Sequence, residues 1–309
     1  MTDLTHQLIT KAQKHGATFV DVLYMEGIGT SARALKGHLE SFETAQSRAI
    51  GLRVMVGQKQ AVAVSSNMTD SALDKLAERV VAMAKNAPDD PYAAFAKPED
   101  WAKDIQSRLT EMDLADPNGL PDVQMLKDWA LELEATTAGH QGISKTGGAN
   151  AQMGNGAVYI ENSEGFKGQY NRTNFAYDVT ALAGEGTDMV REHAYTAARH
   201  LEDLRTLKEI ALEAAERTVK RQNASSMASG RMPVVYDRRV ASGLLGHLAG
   251  AVNGDGVAMG TSFLGEMMGQ QIFPEHITIK DAPHMKRGFG SKPFDAEGLP
   301  TQPLDIIEN

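Results

Sequence analysis

The first residues to weigh are histidines, because the chain has nine of them and no cysteine to share metal work. A helical zinc hydrolase site needs two histidines about one turn apart and a glutamate beside the first. The metal then polarises water and the carboxylate takes its proton. No HExxH, HxxxH or HExxxH occurs. His193 and His200 are two helical turns apart, but His193 adjoins a strand-like stretch, and both read as surface residues. His276 and His284 flank Asp281 in a proline-bearing loop, at a spacing no standard site uses, and read as solvent-facing. His247 stands alone in a glycine-rich helix, without a second histidine or carboxylate within a turn. Ser163 (ENSEG) and Ser262 (GTSFLG) lack the strand–GxSxG–helix elbow of a serine nucleophile and read as turn and cap residues. Gly147-Gly148 and Gly154-x-Gly156 lack the lysine and the strand-to-helix setting of a phosphate loop. Without cysteine, disulfides, thiolate zinc sites, iron–sulfur clusters and a thiol nucleophile are excluded within these residues.

Any site must therefore be sought through the elements that would hold it. A chain of 309 residues is long enough for two domains, and 6% aromatics against 29 glycines means cores of aliphatic and small side chains with many turns. The net charge of -9, with no basic stripe beyond Arg238-Arg239, argues against direct nucleic-acid binding. No apolar run reaches signal-peptide or membrane-span length, so a soluble cytoplasmic protein without membrane contact is expected.

Thr2 or Asp3 is placed to cap a first helix that stops at Gly16. Extended segments follow at Thr18–Glu26, Thr30–Leu35, Leu39–Gln46, Arg48–Val56 and Ala61–Ser65, the last two joined by a hairpin turn. Ser71–Asp74 resembles a capping box opening a helix that buries Leu73, Leu76, Val80 and Ala84. Residues 87–100 read as an irregular proline-bearing crossing, and Pro121 fits the first position of another helix. Ser144–Gly156 reads as turn-rich, before strands at Ala157–Glu161 and Gly168–Leu182. Met189–Ala198 fits no single period, and Leu204–Arg221 is an amphipathic helix. The polar stretch Gln222–Arg231 marks a boundary between domains at 1–225 and 230–309. Beyond it, Pro233–Tyr236 reads as a short strand, and Asp237 caps a helix that Asn253-Gly254 ends. Leu244, Leu245, Leu248 and Val252 share one face of that helix, and Gly243, Gly246 and Gly250 the other. Each helical glycine costs about 1 kcal/mol against alanine, so something is expected to approach this face closely: a packed neighbour, or a peptide or partner in a groove that includes His247. The fold class expected is α+β, with an N-terminal helix–antiparallel sheet–helix domain followed by a β-rich C-terminal domain.

The order of segments resembles the TldD/PmbA family, once labelled modulators of DNA gyrase, and within it the PmbA (TldE) branch. The matching residues are Arg48–Val54, Ile160-Glu-Asn-Ser-Glu-Gly165, Pro233-Val-Val-Tyr-Asp237, Leu244-Leu245, Gly254-Asp255, Gly260-Thr-Ser-Phe263, Met268-Gly269 and Phe294-Asp-Ala-Glu-Gly298. In the TldD branch the corresponding helix carries HExxxH just before the Gly-Asp pair. Aligned on Gly254-Asp255, the first histidine falls at Leu245, the glutamate at Gly246 and the second histidine at Gly250. The resemblance implies a metal-free, non-catalytic subunit that works with a zinc-bearing TldD-like partner, as a homo- or heterodimer, on peptides or unfolded segments threaded in extended form. A regulatory module for a topoisomerase or toxin–antitoxin system, or a peptidase with an unrecognised site, stays open beside it. The family usually runs further, and Asp305–Asn309 falls within what reads as a continuing β-rich segment, so either a truncated chain or a naturally short member is expected.

Overall fold

The structure is a computed structural model of the chain and describes residues 2–308. Its elements are α1 (Thr2–Lys14), β1 (Phe19–Leu35), β2 (His38–Val56), β3 (Lys59–Ser65), α2 (Asp70–Asn86), α3 (Ile105–Met112) and α4 (Val123–Ala138). Then follow β4 (Lys145–Asn162), β5 (Lys167–Ala183), β6 (Val190–Ala198), α5 (Leu207–Lys220), α6 (Arg238–Ala251), α7 (Gly254–Ala258), β7 (Ile279–Asp281) and β8 (Leu304–Ile307). The fold is α+β, and β1 to β6 form one antiparallel sheet in the order β3-β2-β1-β4-β5-β6.

The chain divides into two compact units, though not by a single cut. The first unit runs up to Asn223 and also takes in Ala282–Pro303; the second holds Ala224–Asp281 and the residues from Leu304 onward. In the first unit, β1 has 17 residues and β2 has 19. At ~3.3 Å per residue such strands span about 55 Å, more than one helix pair covers. Two pairs therefore share one face of the sheet. Val20, Val22 and Tyr24 of β1 meet Leu8 and Ala12 of α1 and Leu73, Ala77 and Val80 of α2. Farther along, Ala32 and Ala34 meet Leu126, Ala130 and Leu133 of α4, together with Ile210 and Ala214 of α5.

On the opposite face, the returning segment 282–303 inserts Phe294, 1% exposed, among Val158, Ile160, Phe166 and Ala102. The Phe294 ring meets Phe166 and Tyr170 edge-on, at 5.7 and 5.5 Å between centroids. The segment is also held by charge. Arg287 donates to Asp113, Glu202 and Asp203, and Glu297 accepts from Arg53. Three carboxylates around Arg287 hold its guanidinium pKa above its ordinary value.

Several local readings are corrected by tertiary structure. The stretch Gly27-Ile-Gly29 does not interrupt β1, and Ser144–Gly156 is not a turn region but most of β4. Glycines that punctuate a sequence locally are here the places where two backbones crowd. A Cβ at Gly27 would sit 2.8 Å from the Asn155 carbonyl oxygen, and one at Gly154 2.8 Å from that of Ile28. Helix α2 starts at Asp70 behind Thr69, without a side-chain cap bond; the capping box is instead Thr206 with Glu209, opening α5. Pro121 precedes the cap residue Asp122 rather than starting α4. Met189–Ala198 resolves as the edge strand β6, whereas Pro233–Tyr236 lies outside regular structure with Val235 94% exposed. The side chain of Thr2, one of the two candidate caps of α1, lies outside the described residues.

The second unit contains α6 and α7, and β7 pairs antiparallel with β8 across a Lys280–Asp305 ion pair of 2.8 Å. Among the described residues, no helix is long and apolar enough to cross a membrane.

Gly27→Ala and Gly154→Ala are each expected to cost about 1–3 kcal/mol, because backbone rather than a flexible side chain must move. Gly29→Ala, whose Cβ meets nothing within 4 Å, is expected to stay within about 0.5 kcal/mol of the parent. Urea midpoints of the three variants check the contrast.

Candidate functional site

Helix α6 opens as its sequence requires: the Asp237 carboxylate accepts the Arg239 backbone N–H at 2.9 Å. Leu248 and Ala251 are buried, while Leu244 and Leu245 are about half exposed, at 50% and 53%. The helix ends at Val252, and Asn253 starts α7 by accepting the Asp255 N–H instead of merely closing α6. Ser262 donates its hydroxyl to the Ala251 carbonyl and accepts from the Leu264 N–H, tying the following loop to the helix end. Gly243, Gly246 and Gly250 are exposed, and a Cβ on any of them meets nothing within 4 Å. The close approach expected on that face is therefore made by no described part of this chain.

The same helix tests the zinc motif. Leu245, Gly246 and Gly250 carry no side-chain lone pair, and exposed His247 has no histidine or carboxylate within a turn of it. These residues do not fit zinc. Among the described residues, no group of three or more histidine, aspartate or glutamate side chains is placed to hold a metal ion.

The other histidines separate. His193 lies on edge strand β6 beside Tyr195, and His276 is exposed. His200 is not a surface residue: it is 3% exposed, with Nε2 2.9 Å from the Asp113 carbonyl oxygen. His284 is half-buried, its Nε2 2.9 Å from the Thr301 hydroxyl and 3.2 Å from an Arg108 guanidinium nitrogen. Both were hidden from sequence reading because their partners lie far along the chain.

The sheet offers a cavity that the motif search missed. On the face away from the helix pairs, strand register aligns Gly27 with Gly156 and Gly29 with Gly154. Next to them stand Ser47 on β2 and Arg172 and Asn174 on β5. With Met25, Ser31 and Gln152 these residues line a groove of about 440 Å³ whose floor is glycine. Its only sequence signal was alternation: glycines two apart on β1 and again on β4, which is one face of a strand.

Three family models match the chain: the PmbA/TldA metallopeptidase domain 1 at residues 20–84, the central domain at 116–222 and the C-terminal domain at 229–309. The chain belongs to the PmbA/TldD family. Metalloprotease PmbA of Escherichia coli O157:H7 is 29% identical over 289 residues, covering 94% of this chain and 63% of the relative. A PmbA homolog of Haemophilus influenzae is 28% identical over 300 residues, covering 96% and 65%. The chain thus spans under two thirds of the length of these PmbA relatives. Among solved structures, a protein of Bacteroides thetaiotaomicron described as a candidate modulator of DNA gyrase superposes with a TM-score of 0.89 at 21% identity, covering 99% of this chain and 69% of that one. TldE from Thermococcus kodakarensis gives 0.79 at 16% identity, covering 99% and 67%.

The PmbA-like motifs in the first unit prove to be anchors of the fold. In Ile160–Gly165, Asn162 Oδ1 accepts the N–H groups of Glu164 and Phe166 to form the turn, and the Ser163 hydroxyl accepts the Val20 N–H. Glu161, 4% exposed, docks α1 by accepting from the Thr5 hydroxyl at 2.5 Å, with His6 at 3.3 Å and Lys167 at 3.1 Å. Burial alone would raise its pKa, but the bonds from Thr5, Lys167 and His6 outweigh that and hold it below the ordinary 4.5. In Phe294–Gly298, Asp295 caps the turn, and Gly298 lies against the Phe166 ring, 2.7 Å from where its Cβ would be.

A carboxyl with a lowered folded-state pKa contributes stability above its unfolded pKa and loses it as pH falls through the folded value. Glu161→Gln is therefore expected to cost about 1–3 kcal/mol at pH 7 and progressively less below about pH 4. Urea midpoints of parent and variant across that range measure it.

Proposed function

We propose that this chain is a PmbA/TldE-like, non-catalytic subunit of a TldD/TldE-type zinc metalloprotease system. In this reading it is a cytoplasmic protein that pairs with an HExxxH-bearing TldD-like subunit and handles peptides or unfolded segments in extended form. The observation that carries the proposal is α6. It lies within the match to the family's C-terminal domain, yet it presents leucine and glycine at positions 245, 246 and 250. Hydrolysis by a metal-bound water needs ligands to hold the ion and a base to take the proton. Neither exists at those positions. In the assembly, zinc and its chemistry would come from the partner subunit.

What α6 does offer is an open glycine face and half-exposed leucines, which suit contact with a partner's backbone or a peptide. The mean net charge also fits this reading better than a nucleic-acid role: at -9, the chain would repel phosphate. A second reading, regulation of a topoisomerase by protein contact, draws only on the description of the Bacteroides structural relative.

Purified from cells, the chain is expected to carry well under one zinc by elemental analysis and to leave an unfolded protein substrate intact. Adding an HExxxH-bearing family member is expected to start cleavage, and the two should co-elute. One tightly held zinc per chain, or turnover by the chain alone, overturns the subunit reading. Co-purification with a topoisomerase but no HExxxH protein favours the regulatory one.

A further inference from the structure

We propose that the glycine-floored groove across the sheet is an oxyanion site that receives the free carboxylate of an extended peptide at Arg172, next to which the buried Arg199 is bonded to the Thr173 carbonyl. The choice of a peptide rests on the proposed function above; the choice of an anion does not.

Arg172 lies on the groove face, and its Nε is 3.8 Å from where a Cβ on Gly156 would stand, so its side chain reaches over the glycine floor. Its guanidinium makes no ion pair or hydrogen bond with any described residue. Arg199 is 5% exposed. Its guanidinium donates to the Thr173 carbonyl at 3.0 Å and the Phe289 carbonyl at 2.8 Å, and stands 4.7 Å from the Phe289 ring centroid. No described carboxylate pairs with it, and its Nε has no partner. Burial and the nearby charge of Arg172 both push the Arg199 pKa down, the mark of two cations set together without a counter-charge. A buried cation is ordinarily paired, so the element missing here is an anion. A guanidinium fork matches the two oxygens of a carboxylate.

The floor fixes how such a ligand lies. Missing Cβ atoms at Gly27, Gly29, Gly154 and Gly156 let a peptide backbone approach the sheet closely. The backbone groups of β1 and β4 are engaged in ladders on both sides, so the ligand cannot be added as a strand. Orientation then falls to side chains: Arg172 for the carboxylate, with Asn174 and Gln152 for peptide groups. The cavity of about 440 Å³ is within the usual range for a ligand site.

Calorimetric titration of the full chain with N-acetyl tetra-alanine, as the free acid and as the C-terminal amide, tests this. The acid is expected to bind about tenfold tighter than the amide or better, and Arg172→Gln to abolish that difference. Arg172→Lys should recover part of it. Gly29→Val, whose Cβ stands clear of its neighbours on the groove floor, should weaken both peptides. Because Arg172 repels Arg199 in the empty site, Arg172→Gln should leave the ligand-free urea midpoint unchanged or raised; a lowered midpoint marks a structural arginine and counts against the site. Equal binding of acid and amide, or an Arg172→Gln variant that still prefers the acid, overturns the proposal. So does inorganic phosphate binding as tightly as the peptide acid, which would mean an adventitious ion only. The titration uses the chain without a partner subunit. Zinc in the chain would thus sink the subunit reading while leaving this result standing.

Discussion

Two backbones crowd at the centre of the long sheet, where Gly27 faces Asn155 and Gly154 faces Ile28 with room for hydrogen alone. Much of the first unit depends on that constraint. It lets β1 and β4 run past each other in close register with their ladder uninterrupted. One face of each long strand then meets two separate helix pairs, giving two aliphatic cores instead of one. On the other face the same missing side chains leave a groove. Close strand approach and groove share one cause.

What could be read from the sequence follows from how local each signal is. The apolar spacing of Leu73, Leu76, Val80 and Ala84 shows the buried face of α2, because a helix carries its pattern within a few turns. The β2–β3 hairpin is legible for the same reason. Glycine was misread in β1 and β4, since as local punctuation it signals a turn, while here its role is set by a strand more than a hundred residues away. His200 and Arg199 were illegible for a like reason. Their burial depends on Asp113 and on the segment around Phe289, neither of which their own neighbourhood announces.

The residues by which the family is recognised divide into two kinds. Those in the first unit, around Glu161, Asn162, Phe294 and Asp295, satisfy turns and dock elements, and would be needed whatever the protein does. Those on α6, Leu244 and Leu245, stand about half in solvent, beside glycines on which an added Cβ would meet nothing within 4 Å. Helix α6 has its Asp237 cap and its C-terminal tie to Ser262, and its Leu245, Gly246 and Gly250 offer no metal donor.

The return of residues 282–303 to the first unit carries a consequence in time. The pocket among Val158, Ile160 and Phe166 is complete only when Phe294 arrives, after the chain has passed through the second unit. At ~5–20 residues per second, the ribosome needs roughly 4–15 s to get from the end of α5 to that phenylalanine. Through that interval Val158, Ile160 and Phe166 lack the ring that buries them in the finished fold.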